Sequence, residues 1–323
     1  MIGKCNMQDQ WSRVIDYLRL SVTDGCNLNC IYCRKSGCVL SSAPGLHVSE
    51  MLRVLECFQK LGIRKLKVTG GEPLLYPGIE DLLDKLLQKE WFSSVTITTN
   101  GQYVKHHWPI LSRLDSINVS LDSLQEETYQ KMTRGGKLAP VLEGLRWGME
   151  QGYKKFKLNV VLVKGFNEGE IPDFLRLAGR YPLAVRFIEL MPLGEGSHFQ
   201  RVPREQVLSW VDQLYPGWKW GSFRGNGPAK YLEIPLLPGK IGFIDSVTHP
   251  SCASCNRIRL DAFGNLYPCL EQGPSLNVRD FLQGNIPEKQ FLQKLKQSIF
   301  CKPEKNHFSL RPFLQKDMYR IGG

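Results

Sequence analysis

Ser21-Val22-Thr23-Asp24-Gly25-Cys26-Asn27-Leu28-Asn29-Cys30-Ile31-Tyr32-Cys33 sets three cysteines at C-x3-C-x2-C, directly after the apolar run Tyr17-Leu18-Arg19-Leu20. The run reads as a short strand and the cysteines as the loop that leaves it. Three soft thiolates in one loop select an iron–sulfur cluster, zinc or Cu(I) over hard cations. A closed structural site wants a fourth ligand, and no His or Cys stands at zinc-finger spacing; Cys38 is the nearby cysteine. Three ligands on a four-iron cluster leave one iron open to a substrate or cofactor. The competing structural reading is a degenerate zinc knuckle.

Outward from this loop, β-branched apolar runs recur at 18–22, 66–69, 95–99, 117–121, 156–163 and 185–190. Between them the spacing is helical. In 78–90, Ile79, Leu82, Leu83, Leu86 and Leu87 follow the i, i+3, i+4, i+7, i+8 pattern, and 48–61, 139–151 and 171–180 read likewise. Six such repeats predict an α/β fold, a parallel sheet with helices outside, as a doubly wound sheet or a partial barrel. Periodicity does not separate the two. In either, functional loops lie at the C-terminal ends of the strands, where the cysteine loop falls.

After a helix at 205–214 the texture changes: 218–239 is dense in Gly and Pro and lacks a helical period. Short strands follow at 231–234 and 241–244. The runs 257–261 and 266–267 flank the hairpin signal Ala262-Phe263-Gly264-Asn265, and a last helix is predicted at 288–300. We place a boundary near residue 216, dividing 1–215 from 216–323.

The chain has 323 residues, 42% of them hydrophobic, which suits a globular protein with a real core. No apolar stretch reaches the length of a membrane span, and the start lacks a signal-peptide core, so the expectation is a soluble cytoplasmic protein with no membrane association. A formal charge of +11, from 42 Lys+Arg against 31 Asp+Glu, suits an anionic partner, either nucleotide or nucleic acid. Six of the ten cysteines sit in two clusters, which in a reducing compartment argues for metal rather than disulfides.

The second cluster is Cys252-Ala253-Ser254-Cys255 with Cys269, a C-x2-C-x13-C pattern returned by the hairpin. It too has three thiolates; His249 is the available fourth ligand on a zinc reading. Arg257 and Arg259 alternate along a strand, so both project to one face. Two guanidiniums beside a metal centre make a clamp for phosphates; the plainer alternative is two surface arginines.

Tyr32 between the last two cysteines resembles the radical S-adenosylmethionine (SAM) superfamily. Further motifs narrow this: Arg19-Leu20-Ser21-Val22-Thr23-Asp24, Thr69-Gly70-Gly71-Glu72-Pro73-Leu74, Thr98-Thr99-Asn100-Gly101 and Asn118-Val119-Ser120-Leu121-Asp122. With Cys252, Cys255, Arg257, Arg259, Cys269 and the terminal Ile321-Gly322-Gly323, the chain resembles the GTP 3′,8-cyclase family of molybdenum cofactor biosynthesis, from about Arg19 to its last residue. The resemblance implies a partial (βα)6 TIM-like barrel with a smaller C-terminal α+β domain carrying a second iron–sulfur cluster.

It also implies the site. Cys26, Cys30 and Cys33 would hold one [4Fe–4S] cluster and Cys252, Cys255 and Cys269 another. Tyr32, Gly71, Ser120 and Met191 would bind SAM, and Arg19, Lys67, Thr98, Lys157, Arg257 and Arg259 would bind GTP. Arg257, Arg259, Gly322 and Gly323 would take part in the chemistry. The expected reaction is SAM cleavage, hydrogen abstraction from C3′ of GTP and closure onto C8, giving 3′,8-cyclo-7,8-dihydro-GTP. The expected partners are an electron donor such as flavodoxin or ferredoxin and a downstream cyclic pyranopterin monophosphate synthase, with a homodimer left open. Lys67 stands where the family has Arg, and Gly25 where it commonly has Arg. Two other readings compete: a radical SAM enzyme acting on a peptide, and a zinc-stabilised nucleic-acid-binding protein.

Overall fold

A computed structural model describes residues 6–35, 37, 44–225, 227–308 and 318–321. Six strands carry the framework: β1 (Tyr17–Ser21), β2 (Lys65–Thr69), β3 (Ser94–Thr99), β4 (Ser116–Ser120), β5 (Phe156–Leu162) and β6 (Ala184–Glu189). They pair in chain order and all in parallel. Between them run α1 (Val48–Lys60), α2 (Ile79–Lys89), the short α3 (Trp108–Leu111), α4 (Glu126–Thr133), α5 (Leu138–Glu150) and α6 (Ile171–Arg180). Parallel pairing demands crossovers of this kind, because a tight hairpin cannot return a strand in the same direction.

One side of every strand is apolar. Leu18, Leu20, Leu66, Val68, Ile97, Val119, Leu158 and Val185 are essentially sealed from solvent in one core with Met51, Leu55, Phe58, Leu82, Leu83, Phe174 and Leu175 of the helices. Each such side chain contributes about 1.5–3 kcal/mol by leaving water, which is what fixes the register of the strands. The other side is polar, and residues of all six strands line one cavity. The sheet therefore curls, and the partial barrel, not the flat doubly wound sheet, is the architecture adopted.

Beyond α7 (Arg204–Leu214) the chain adds β7 (Lys219–Arg224), β8 (Lys230–Glu233), β9 (Lys240–Ile244), β10 (Arg257–Leu260), β11 (Asn265–Tyr267), β12 (Leu276–Asn277), α8 (Arg279–Leu282) and α9 (Glu288–Phe300). These strands extend the same sheet at both ends, giving the order β12-β11-β10-β1-β2-β3-β4-β5-β6-β9-β8-β7. Strand β9 pairs in parallel with β6 and β10 in parallel with β1, with Arg259 opposite Arg19. The β10–β11 hairpin turns at Gly264, whose φ is +87° and where a Cβ would lie 2.8 Å from Val278 Cγ2, so glycine is required.

Several elements add to expectation: β7 lies in the stretch dense in Gly and Pro, β12 and α8 are short, and α4 has a mostly polar sequence, EETYQKMT. Only Tyr129, Met132 and Thr133 of α4 are buried.

Candidate active site: two cysteine triads on adjoining cavities

Cys26, Cys30 and Cys33 line a cavity together with Tyr32, Gly70, Gly71, Thr98, Asn100, Ser120, Asp122, Met191 and Tyr319. Their loop is shaped by a turn in which Cys33 N–H donates to Cys30 O at 3.0 Å. The end of α4 braces it: Asn29 N–H donates to Thr133 O and Ile31 N–H to Met132 O, at 3.1 and 2.9 Å. The loop after β2 closes the other side. Gly71 N–H donates to Thr23 O, and Glu72 N–H to Gly25 O at 2.7 Å. A Cβ on Gly71 would stand 2.2 Å from Gly25 O, so this glycine is required by the approach of a neighbouring loop, not only by the approach of a ligand.

Glu72, fully buried, anchors the same loop. It accepts hydrogen bonds from Leu74 N–H (3.0 Å), Thr99 Oγ1 (2.7 Å) and Asn100 N–H (2.6 Å), and burial pushes its carboxyl up to about 7. Tyr32 donates its hydroxyl to Asp122 Oδ2 at 2.5 Å, while Asp122 Oδ1 accepts from Val161 N–H at 2.8 Å. Burial pushes Asp122 up to about 6. It also pushes the Cys26 and Cys30 thiols up, so taking up a metal must drive their protons off.

Cys252, Cys255 and Cys269 line an adjoining cavity that shares Thr98, Asn159, Ile188 and Met191 with the first. The inward residues are set by strand register. Arg19 stands opposite Lys67 on one side and Arg259 on the other; Thr98 faces Asn118, Asn118 faces Lys157, and Asn159 faces Arg186. Seven cations, Arg19, Lys67, Lys157, Arg186, Arg257, Arg259 and Lys302, line this space without a single Asp or Glu among its described walls.

Burial and mutual repulsion weaken their hold on protons. Burial, then Arg186 and Arg19, hold Lys67 well below its ordinary value; burial, then Arg186, push Lys157 down to about 8. Burial lowers Arg19 to about 10 and takes Arg259 well below the usual arginine range, with Arg19 and Arg257 adding to the latter. Burial raises the Cys255 thiol, but Arg257 and Lys302 beside it prevail and bring it down to about 7. Such a cavity is built to take an anion.

All six residues expected to bind GTP line this second cavity, and the four expected to bind SAM line the triad cavity or the wall between them. Gly322 and Gly323 lie outside the described residues. Tyr319, three residues before them, lines the first cavity with the Arg34 guanidinium 4.1 Å above its ring. Arg186, Asn159 and Lys302 were not singled out from the sequence, and Asn118 entered only as the first residue of a motif. For the three strand residues the available signal was alternation: each falls on the polar phase of its strand. Arg186 donates to Asn118 Oδ1 at 2.6 Å and to Asn159 Oδ1 at 2.5 Å.

The donor sets fit the expected groups. Each triad offers three thiols to one cavity, as a cluster with one open iron requires. Among the described residues no three His, Cys, Asp or Glu side chains could hold a single metal ion. His249 is held instead beside Arg204, at 3.3 Å, in a cleft with Glu189 and Asp245. Thr98 Oγ1, on the shared wall, is buried with no hydrogen-bond partner, as expected of an atom reserved for a ligand.

A curled parallel sheet whose first strand ends in a three-cysteine loop defines a radical SAM protein, and the Radical SAM superfamily model matches residues 20–178. A Molybdenum Cofactor Synthesis C model matches residues 183–308. The chain is 37% identical to a GTP 3′,8-cyclase of Clostridium perfringens (strain SM101) over 98% of this chain and 100% of that relative. It is 36% identical to a GTP 3′,8-cyclase of Petrotoga mobilis over the same shares. The chain belongs to the GTP 3′,8-cyclase family of radical SAM enzymes. Among solved structures, Streptococcus suis SuiB bound to S-adenosylmethionine shares the fold, with a TM-score of 0.61 at 16% identity over 82% of this chain and 64% of that one. The family's cofactors are SAM and two [4Fe–4S] clusters. These matches leave the peptide and nucleic-acid readings without support. No helix among the described residues is long and apolar enough to cross a membrane.

Proposed function

We propose that this chain converts GTP to 3′,8-cyclo-7,8-dihydro-GTP, the first step of molybdenum cofactor biosynthesis, with both cysteine triads loaded. The observation that carries this reading is the cation-lined cavity of the second triad, without Asp or Glu among its described walls, which shares a wall with the cavity of the first triad. When bound, SAM and the first cluster supply one-electron chemistry that can remove a hydrogen atom from the ribose.

The chain's own residues do the rest. Cys26, Cys30 and Cys33 hold the first cluster, and Tyr32, Gly71, Ser120 and Met191 surround SAM. Tyr32 is held in place through Asp122. Arg19, Lys67, Lys157, Arg257 and Arg259 take the triphosphate and orient the nucleotide, helped by Arg186, while the Thr98 hydroxyl stands at the wall between cofactor and substrate. The cost of burying so many like charges together is offset when the polyanion enters. Cys252, Cys255 and Cys269 would hold the second cluster. Gly322 and Gly323, expected to take part in the chemistry, lie outside the described residues, and Tyr319, three residues before them, lines the first cavity. Orientation and exclusion of water are the protein's main contributions.

In this reading residues 1–215 supply the SAM half and 216–323 the second cluster. A small acidic electron carrier such as flavodoxin or ferredoxin delivers the electron, a cyclic pyranopterin monophosphate synthase takes the product, and the setting is the cytoplasm. The deciding experiment is 5′-deoxyadenosine formation by anaerobically reconstituted protein with SAM and reductant. The expected result is GTP-dependent formation with deuterium carried over from 3′-deuterated GTP; SAM cleavage indifferent to GTP would overturn the substrate assignment.

A further inference from the structure

Where the chain returns after α9, a buried lysine is used in a way the nucleotide does not require. Lys302 is 3% exposed, and its Nζ donates to Arg257 O at 2.9 Å and to Pro268 O. Arg257 stands two residues after Cys255, and Pro268 immediately precedes Cys269. One ammonium thus ties together the two arms that bring those cysteines to one cavity. Arg13 ties the third arm: it donates to Cys252 O at 2.8 Å and to Glu304 O and Pro303 O at 2.7 and 2.6 Å.

The two cations differ in counter-charge. Arg13 pairs with buried Asp9 at 2.6 Å. Among the described residues the Lys302 ammonium bonds only to neutral carbonyls, and no carboxylate pairs with it. A buried ammonium in that position is costly unless an anion lies nearby. The groups that share its cavity and turn to thiolates on taking up iron are Cys252, Cys255 and Cys269, and Lys302 holds the arms of the last two. Hydrogen bonding alone does not call for a full charge here. Compensation of a thiolate-bound cluster does.

We propose that Lys302 is the positioning and charge-compensating residue of the second cluster, holding the Cys255 and Cys269 arms together and supplying the positive charge that stabilises the cluster's reduced form. This rests on the cluster reading of the second triad. The test uses full-length protein in which Cys26, Cys30 and Cys33 are replaced by Ala, so that only the second cluster is read, reconstituted anaerobically with Lys302, Lys302→Gln, Lys302→Met or Lys302→Arg. Iron content, the rate of iron loss to a chelator and the midpoint potential followed by EPR are measured, with thermal midpoints of the iron-free proteins beside them.

Lys302→Gln and Lys302→Met are expected to move the potential to more negative values and to lose iron about tenfold faster, while Lys302→Arg stays near the parent. Unchanged potential and iron loss in both uncharged variants would overturn the proposal. So would equal losses in all three variants, which would mark a packing role. A parent that holds no iron at all would overturn the cluster reading itself, a separate and recognisable outcome.

Discussion

Lys157 shows how the cavity sets the charge of its own walls. It sits on β5 with Nζ 3.2 Å from Ser116 Oγ, and burial together with Arg186 pushes it down to about 8. A lysine depressed in this way favours the folded protein above its unfolded value, and that contribution is lost as pH falls through about 8. A bound polyanion reverses the preference, because it needs the ammonium charged. GTP affinity should therefore be greatest below pH 8 and fall above it, by up to about tenfold per pH unit from one group. Calorimetric titration between pH 7 and 9.5 tests this; Lys157→Met should flatten the profile, and any slope that remains belongs to the other depressed cations of the cavity, Lys67 and Arg259. Thr98 offers a second test. Its buried hydroxyl lacks a partner, so Thr98→Val should leave the free protein as stable or about 1 kcal/mol more so. The same change should weaken SAM or GTP binding several-fold in equilibrium dialysis. Lower stability with unchanged binding would mean the hydroxyl is structural.

Among the elements, the loop after β2 carries the most constraint. Gly71→Ala puts a methyl group into the carbonyl of Gly25, so the two loops must part. Reconstitution should then yield protein with iron lost from the first triad and retained at the second. Glu72 behaves differently. Its carboxyl is raised from 4.5 to about 7, so its favourable contribution is complete below about pH 4.5 and lost as pH rises through about 7, a span worth about 3 kcal/mol. Urea denaturation of iron-free protein from pH 5 to 8 should show that decline, and Glu72→Gln should lack it. At pH 5 the same variant should be less stable by about 1–3 kcal/mol, since an amide NH2 would face the Asn100 N–H. The framework strands were legible because runs such as Val95–Thr96–Ile97 and Val160–Val161–Leu162 are β-branched and bounded by helical spacing. The two triads were legible from cysteine spacing. Strand neighbours were not, so nothing in sequence announced that Arg186 would meet Asn118 and Asn159, or that polar α4 would brace the cysteine loop. Lys302 escaped notice for the same reason: its meaning comes from carbonyls 45 and 34 residues away.

At the scale of the molecule, the continuous sheet bears on where the chain can be divided. Strands β1 and β6 each pair outward with a strand from beyond residue 216, β10 and β9 respectively. Cutting there would bare two edges whose residues Leu18, Leu20 and Val185 lie in the core. A 1–215 fragment should therefore be insoluble, or compact without near-UV circular dichroism; a folded, soluble monomer would show that the division near 216 separates autonomous units. The same sheet brings Arg13 to Glu304, 291 residues apart, and through them to Cys252. Contacts that close so much chain form late in folding and open early in unfolding. The three-cysteine loop at 26–33 is braced by segments no farther along the chain than α4, whereas the other triad waits on the far end of the polypeptide. Maturation thus acquires an order in time: iron can settle at the early site while the late one is still forming, and a damaged enzyme should surrender its clusters in the reverse sequence.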